Sequence, residues 1–256
     1  MIPYFEWKTI SIGPLTIQVW GMWVALGMLL ALYIVDRRAK RLHLKSEQLL
    51  DMSLWMLISG VLFSRLFEVL FYEPTFYFSH LFEIVKIWHG GLSSFGGFFG
   101  AALAFFIFAK RKKITTVELY KIGDILSFAA LYGWMVGRIG CFMIHDHLGA
   151  HSSCPLAMQT LDGPRLEMAL LEILGLLPLA ILLYFNRKKE RPQGWFTGVA
   201  FMYYGVVRFL LDFFRATDIV GADARYLGLT PGHYSAIVLF ACGLWLYRKT
   251  KNGRLA

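Results

Sequence analysis

The sequence predicts an all-α polytopic membrane protein with seven transmembrane helices. Hydrophobic residues make up 57% of the 256 positions and charged residues only 17%, whereas soluble domains carry about 25% charged residues. Seven apolar runs also approach or exceed the ~20 residues that cross a bilayer, and only helices satisfy their own backbone hydrogen bonds in lipid. The runs cover roughly residues 14–35, 49–72, 92–109, 119–144, 166–185, 194–214 and 231–247.

Basic residues alternate between the loops and so predict the orientation. Four loops, which begin at Asp36, Lys110, Asn186 and Arg248, carry 17 of the 26 Lys and Arg residues, and the intervening loops carry four. The positive-inside rule therefore places the N-terminus outside and the C-terminus in the cytoplasm. It also assigns the net charge of +9 to topology, so we expect no nucleic-acid partner. The chain is predicted to be a single integral membrane domain, 1–256, with outer-side loops 73–91, 145–165 and 215–230.

Charged residues inside the predicted spans mark a candidate site. Of the five cations within spans, four fall in the outer half of the membrane, namely Arg65, Arg138, Arg208 and Arg215, and Lys121 lies near an inner end. Such residues are costly in lipid and normally face the bundle interior or a functional site. They could form compensating pairs with Glu68, Asp146 and Asp212. We favour convergence on an anion such as a phospholipid head group, because the planar guanidinium fork suits phosphate.

A glycine-rich segment, HGGLSSFGGFFG, opens the third span at His89. The spacing of Gly96 and Gly100 is typical of close helix packing. The density of small residues also suggests an irregular stretch whose backbone N–H groups face a ligand. The residues concerned are Gly90, Gly91, Ser93, Ser94, Gly96 and Gly97.

The same segments resemble the motifs of the prolipoprotein diacylglyceryl transferase family. The run GRIGCFMIHDHLG from Gly137 is similar to the family signature G-R-x-G-N-F-x-N-x-E-x-x-G. The runs GGLSSFGG from Gly90 and RFLLDFFR from Arg208 resemble G-G-M-S-F-H-G-G and R-F-x-x-E-x-x-R. Two weaker matches, LGLTPGHYSA from Leu227 and SRLFEVLFY from Ser64, resemble G-L-T-x-G-Q-x-x-S and A-R-x-x-Y-V-L-F-Y. The order of motifs and the predicted topology also agree.

The resemblance implies an enzyme of the bacterial cytoplasmic (inner) membrane that acts in lipoprotein biosynthesis. Family members transfer the diacylglyceryl group of phosphatidylglycerol to the lipobox cysteine thiol of a preprolipoprotein and release glycerol phosphate, without a metal or organic cofactor. Carried over by position, the expected catalytic residues are Arg138, Arg208, Asp146 and Asp212. The expected substrate-binding residues are Arg65, Gly137, Gly140, Cys141 and Gly149, together with the glycines and serines of the 90–97 segment.

Among the departures from the family pattern, three remove a proposed base and two polar side chains. Phe95 stands where the family has histidine, Cys141 where it has asparagine, and Trp20 where it has a tyrosine. We expect His145 or His147, which flank Asp146, to supply the missing base, because histidine titrates near neutrality.

Two alternative functions stay open at this stage. The chain could move a lipid group to another acceptor, or it could bind phospholipid without catalysis. Release of glycerol phosphate from phosphatidylglycerol separates both transferases from the binding protein.

Overall fold

The structure, a computed structural model, describes residues 1–13, 15–219 and 222–251. Most of these residues are helical, and five helices are long and apolar enough to cross a membrane. They are α1 (Val19–Arg41), α2 (Ser46–Phe67) with the π-helical turn Glu68–Tyr72, α4 (Ser94–Arg111), α5 (Thr116–Ile144) and α6 (Met168–Asn186). The helical architecture agrees with the membrane class that the sequence predicts.

Two further long helices occupy the positions of the sixth and seventh predicted spans. They are α7 (Trp195–Asp212) and α8 (Pro231–Lys251). Neither is among the five candidate membrane helices of the described chain. Charged and polar residues, such as Arg208 and Asp212 in α7 and His233 in α8, lower the hydropathy of both helices.

Short elements fill the segment between α2 and α4, which we predicted as an outer loop. The helix α3 (Pro74–Ser79) is followed by 3₁₀ turns at Leu81–Val85 and Ile87–His89. Residues 90–93 then lead into α4, with Gly90 and Gly91 at positive φ.

Five short strands, which the sequence analysis did not predict, lie outside the helices. β1 (Thr9–Ile12) and β2 (Leu15–Gln18) form an antiparallel pair, so the first helix begins at Val19 and not at residue 14. Pro14 itself lies outside the described residues. β3 (Leu148–His151), β4 (Ala157–Thr160) and β5 (Gly163–Glu167) form an antiparallel sheet in the order β3-β5-β4. This sheet replaces most of the loop predicted at 145–165.

The chain divides into two compact units. The first consists of Met1–Ile34 and Tyr120–Ala256, and the second of Val35–Leu119. The core of the first unit is formed by α5, α6 and α7, with buried residues such as Phe128, Leu176 and Phe196. Two predicted pieces fall outside the described chain, namely residues 252–256 at the end of the last basic loop and positions 220 and 221 of the 215–230 loop.

Asp124 of α5 fixes the start of α7 in the first unit. Its carboxylate accepts hydrogen bonds from the backbone N–H groups of Gly194 and Thr197, both at 2.8 Å, and from the Thr197 hydroxyl at 3.0 Å. The first N–H groups of a helix have no partner within it. A buried carboxylate from a neighbouring helix therefore satisfies them and opposes the positive end of the helix dipole.

Arg165 ties the segment after α7 to the three-stranded sheet. Its buried guanidinium donates to Asp218 at 2.8 and 2.9 Å and to Asp162 at 2.5 and 2.9 Å. Hydrogen bonds from Arg165 lower the pKa of the Asp218 and Asp162 carboxyls, so both remain ionised at neutral pH. The anchored segment leads from Arg215 toward α8.

Close glycine contacts join α2 and α4 in the second unit. A β-carbon at Gly100 would come within 2.7 Å of Phe63 Cβ, and Gly96 is equally crowded by Phe67. Ser59 Oγ donates to the carbonyl of Gly100 at 2.8 Å across the same contact. These glycines allow the two backbones to approach, as the spacing indicates.

Candidate functional site: two arginines on one buried carboxylate

Arg138 and Arg208 meet at a single oxygen atom in the first unit. Arg138, one and a half turns before the end of α5, places Nη2 2.8 Å from Glu172 Oε2. Arg208, near the end of α7, places Nη1 3.4 Å from the same oxygen. Glu172 lies in α6 with its side chain 3% exposed, whereas the arginine side chains are 13% and 20% exposed. Three helices therefore bring two guanidinium groups within reach of one acceptor.

Every polar contact that Glu172 makes comes from a donor. Its other oxygen, Oε1, accepts from Trp134 Nε1 at 2.7 Å and from the Tyr204 hydroxyl at 3.1 Å. The sequence analysis missed this residue, because it considered the cations within the spans and the acids beside them. Glu172 is the one acid away from the ends of the very apolar run 166–185, in which Glu167 lies at the start, and this was the available signal, since such a residue needs a buried partner.

Arg138 has donor capacity that its neighbours do not use. In the described part of the chain its Nε is buried without a hydrogen-bond partner. Its Nη1 reaches only the thiol of Cys141 at 3.7 Å, and sulfur is a weak acceptor. Buried N–H groups without a strong acceptor are uncommon in folded proteins. The free donors of Arg138 thus mark a place where an anionic oxygen would be stabilised.

Asp212 holds Arg208 from the opposite side. Its Oδ1 lies 3.0 Å from Arg208 Nη2, one helical turn away, and 3.8 Å from Arg215 Nη1. Arg215 also contacts Asp223 Oδ2 through Nε at 2.6 Å. The second oxygen of Asp212 accepts a hydrogen bond from the Thr230 hydroxyl. The aspartate is thus a fixed point between the end of α7 and the start of α8.

The two candidate histidines occupy different environments. His145 directly follows α5, and its side chain is 4% exposed. One ring nitrogen lies 3.1 Å from Glu167 Oε2 and the other contacts the carbonyl of Phe5. His147 is 37% exposed, and its Nδ1 lies 3.1 Å from Asp146 Oδ2. His145 therefore has both nitrogens occupied, while the contact described for His147 involves Nδ1.

Electrostatics distinguish the two histidine–acid pairs further. Burial alone lowers the pKa of His145, but the hydrogen bonds to Glu167 and to the Phe5 carbonyl outweigh it and raise that pKa. The hydrogen bond from His147 lowers the pKa of the Asp146 carboxyl, and the nearby Arg138 lowers it further. Asp146 is thus ionised beside an accessible imidazole.

The signature glycines lie at close packing contacts. A β-carbon at Gly140 would come within 2.9 Å of Trp23 Cβ and 3.2 Å of the Trp20 backbone, so Gly140 lets α5 approach α1. Gly149 in β3 is crowded by Leu166 and Met168, both at 2.8 Å, whereas Gly137 has ordinary clearance.

Arg65 lies in the second unit, where backbone carbonyls surround its guanidinium. It donates to the carbonyl of Ile84 at 3.0 Å, to that of Gly91 at 2.7 Å and to the carbonyls of Glu83 and Gly90. The residue is 5% exposed. Gly91 has a φ of +71°, and a β-carbon there would come within 2.8 Å of Arg65 Nη1. The segment that we expected to offer N–H groups to a ligand thus offers carbonyl groups to Arg65.

The remaining residues of that segment lie at the start of α4. Ser93 caps the helix by accepting from Gly96 N at 3.5 Å, and its carbonyl accepts from Ser64 Oγ at 2.7 Å. Ser94 is exposed, Gly97 has ordinary contacts, and Phe95 is 39% exposed.

The sequence profile of the prolipoprotein diacylglyceryl transferase family matches residues 8–248. The chain belongs to this family. A relative from Janthinobacterium sp. (strain Marseille), named phosphatidylglycerol--prolipoprotein diacylglyceryl transferase, is 33% identical over 94% of this chain and 95% of its own length. Relatives of the same name from Cupriavidus metallidurans and Aromatoleum aromaticum are 32% and 31% identical over 99% and 98% of this chain.

Membership of the diacylglyceryl transferase family confirms the resemblance that the motifs carried. The matches cover 95–97% of the length of these relatives, so the homology includes both the helices and the site residues. The paired arginines fall on the family signature and on the R-F-x-x-E-x-x-R motif, while Phe95, Cys141 and Trp20 remain departures from the family pattern.

Proposed function

We propose that this chain transfers the diacylglyceryl group of phosphatidylglycerol to the lipobox cysteine thiol of preprolipoproteins and releases glycerol phosphate. The observation that carries the proposal is the meeting of Arg138 and Arg208 at one oxygen of Glu172. The chain works as one multi-pass domain, 1–256, of the bacterial inner membrane. It has seven spans, with α7 and α8 as the last two, and an outside N-terminus.

The phosphate of the lipid binds between the two guanidinium groups. Arg138, Arg208 and Arg215 face only two fully buried carboxylates, Glu172 and Asp212, whose side chains are 3% and 1% exposed. Asp223, which contacts Arg215, and Asp146 add further negative charge, and their side chains are 41% and 43% exposed. Asp223 balances Arg215, so the case for an anion rests on the unused donors of Arg138, which can bind its oxygens.

The transfer forms one bond and breaks one. The lipobox sulfur attacks the glycerol carbon that carries the phosphate, an S–C bond forms, and the C–O bond to phosphate breaks. The electron pair of that bond leaves with the phosphate, where Arg138 and Arg208 stabilise the added charge. The thiol proton goes to a base, because the thiolate is the effective nucleophile.

His147 is the best-placed base, and Asp146 orients it. The 3.1 Å contact between His147 Nδ1 and Asp146 Oδ2 fixes the ring with Nε2 as the proton acceptor. His145 instead positions the N-terminal segment through Phe5, because neither of its nitrogens is available to a thiol. His147 thereby takes the task that the family histidine has at the position of Phe95.

An apolar groove beside Arg208 suits an acyl chain. It lies between α7 and α8 and is lined by Gly205, Phe209, Ala236 and Phe240, among other apolar residues. Phe209 follows Arg208 in sequence, so a lipid whose phosphate lies at the arginine can lay one chain along the groove. A soluble phosphate ester has no chain to place there. The acyl chains of a membrane lipid are already in an apolar solvent, so the groove contributes packing and orientation of the chain and not a hydrophobic gain.

Arg65 does not bind the phosphate. Together with the 90–97 segment, it affects substrate by fixing the conformation of the chain between α2 and α4. Because the Arg65 donors are taken by carbonyls, its role is to hold residues 83–91 in place. Gly137, Gly140, Cys141 and Gly149 line or support the paired-arginine site by their positions on α5 and β3.

The test uses purified protein in nanodiscs with labelled phosphatidylglycerol and a lipobox peptide. Wild type should form a thioether-linked peptide and release glycerol phosphate in equal amounts. Arg138→Lys keeps the charge but loses the fork, and we expect at least tenfold lower kcat/KM. Arg187→Lys, at the exposed end of α6, is the matched control and should be neutral.

The other candidates give different results in the same assay. Release of glycerol phosphate without a thioether would indicate a transferase with another acceptor. Lipid binding with no release would indicate a binding protein. His147→Ala should abolish transfer while His145→Ala retains transfer per folded molecule, and the opposite pattern would remove His147 as the base.

A further inference from the structure

The start of α8 contains a polar network that ends on Arg208. Thr230 precedes α8, and its hydroxyl donates to Asp212 Oδ2. The opposite oxygen, Asp212 Oδ1, contacts Arg208 Nη2 at 3.0 Å. Thr230, Asp212 and His233 are each 1% exposed or less. Thr230 therefore shares one buried carboxylate with a guanidinium of α7, and His233 lies beside it with Nδ1 3.7 Å from Asp212 Oδ2.

Thr230 and His233 form a reciprocal cap of α8. The backbone N–H of His233 donates to Thr230 Oγ1 at 3.3 Å, and the backbone N–H of Thr230 donates to His233 Nδ1 at 3.2 Å. This is the pattern of a capping box, in which the third helical residue, usually Glu or Gln, accepts from the residue before the helix. Pro231 occupies the first helical position, which suits proline.

The cap fixes which nitrogen of the His233 ring accepts. Because a backbone N–H can only donate, His233 Nδ1 must accept, and the neutral ring carries its proton on Nε2, which in the described part of the chain is buried without a hydrogen-bond partner. The Thr230 hydroxyl accepts from His233 N–H, and two acceptors lie within reach of its own hydrogen, Asp212 Oδ2 and, at 2.9 Å, His233 Nδ1. We assign the hydrogen to Asp212, because its oxygen is the closer acceptor and is charged. The rings of Phe209 and Phe213 enclose the imidazole at centroid distances of 5.0 and 4.4 Å.

Asp212 has no freedom to turn within this network. A β-carbon at Gly232 would lie 2.9 Å from Asp212 Cγ and 3.2 Å from Arg208 Nη2, so the backbone of α8 closes over the ion pair. The positive end of the α8 dipole faces the carboxylate and strengthens its hold. Arg208 is consequently held from its own helix by Asp212, and α8 in turn fixes the position of the Asp212 carboxylate.

We infer that Thr230 and His233 are positioning residues that orient Arg208, through Asp212, for the lipid phosphate. The inference rests on the proposed function for the identity of the anion. The capping contacts of Thr230 and His233 and their connection to Arg208 through Asp212 do not depend on the identity of the anion. The family motif has glutamine where this chain has His233, and glutamine offers an acceptor for the same capping bond.

A matched cap elsewhere in the chain separates positioning from helix stability. Thr115 and Glu118 form a capping box at the start of α5, with Thr115 N to Glu118 Oε2 at 3.1 Å and Glu118 N to Thr115 Oγ1 at 3.3 Å. This cap is exposed and does not contact Arg208. Thr115→Val therefore removes the same type of cap without touching the site residues.

The experiment measures the KM for phosphatidylglycerol in nanodiscs and the inhibition constant of glycerol phosphate. Thr230→Val should raise both about tenfold, since a hydrogen bond to a charged group contributes on that scale. Thr230→Ser, which keeps the hydroxyl, should stay within about twofold of wild type. His233→Leu should raise both constants and His233→Gln should restore them. Thr115→Val should lower the melting temperature only.

Unchanged constants in folded Thr230→Val and His233→Leu would overturn the inference, as would equal effects of Thr115→Val. If Thr230→Val does not fold, the comparison of His233→Leu with His233→Gln decides the question. Binding of glycerol phosphate can also be followed by thermal shift without any transfer reaction. An inactive wild type would therefore reject the proposed transferase while the positioning of Arg208 is still measured.

Discussion

Replacing Glu172 by glutamine tests the centre of the site with almost no change of shape. The carboxylate is surrounded by donors from Arg138, Arg208, Trp134 and Tyr204. A glutamine amide has one oxygen that accepts and one NH2 group that donates. In either orientation of the amide, the NH2 group therefore faces the donors that contact one of the two carboxylate oxygens of Glu172. The substitution also removes the negative charge that compensates the two arginines at this point.

The expected loss follows from the contacts. A hydrogen bond to a charged group contributes about 1.5–3 kcal/mol, and breaking a buried ion pair from one side costs about 3–5 kcal/mol. Arg208 keeps Asp212 as a second partner. We therefore take the lower end, and expect the free energy of unfolding to fall by about 3 kcal/mol. For a chain of this size the melting temperature should fall by roughly 6–12 °C.

Thermal unfolding in detergent, followed by tryptophan fluorescence, measures the change. Glu172→Asp keeps the charge and should lose less than Glu172→Gln. Glu190→Gln, in an exposed position after α6, makes the same chemical change where no buried donor is involved and should be neutral. A melting temperature of Glu172→Gln within about 2 °C of wild type would refute the account of Glu172 as the shared acceptor.

Three further predictions concern the surroundings of the site. The raised pKa of His145 stabilises the fold below the unfolded value of about 6.5 and loses this effect as pH rises through the folded value. His145→Asn should therefore lower the melting temperature more at pH 6 than at pH 9. Asp124→Asn should lower the free energy of unfolding by about 1–2 kcal/mol, because it weakens the cap of α7, with an unchanged KM. Arg65→Lys should make the connection between α2 and α4 sensitive to limited proteolysis, because lysine cannot reach several carbonyls at once.

Each of these has a result that contradicts it. A pH-independent effect of His145→Asn would mean that the ring is not held as an imidazolium. A changed KM in Asp124→Asn would connect the cap of α7 to the lipid site. Unaltered proteolysis of Arg65→Lys would mean that residues 83–91 are held by their other contacts.

The sequence predicts the helices because lipid leaves the backbone few choices. All seven predicted runs contain a long helix, and the start of α5 and the end of α6 agree to within three residues. The strands were not predicted, because β3, β4 and β5 are short and mixed in polarity and depend on one another for their hydrogen bonds. Only tertiary pairing distinguishes such segments from loops.

The site was predictable in part. Arg138 and Arg208 stand out because an arginine within a span is costly in lipid and so needs a partner or a functional role. Asp212 stands out because it follows Arg208 by one helical turn. Glu172 did not stand out, since nothing in its neighbourhood along the chain names a partner 34 or 36 positions away. The contacts of Arg65 could not be predicted from the sequence either. Its partners are backbone carbonyls, which every residue type has.

Glu172 gives the paired guanidinium groups an anion of their own. Chloride or inorganic phosphate that diffuses in must compete with a carboxylate tethered in the same molecule, whose effective concentration is far above that of a dilute ion. A small anion that offers only its charge therefore has little advantage over the Glu172 carboxylate. A phospholipid is held in the bilayer by its own acyl chains, so it meets the site at a high local concentration. The site can thus reject the common salts of its surroundings without any steric barrier.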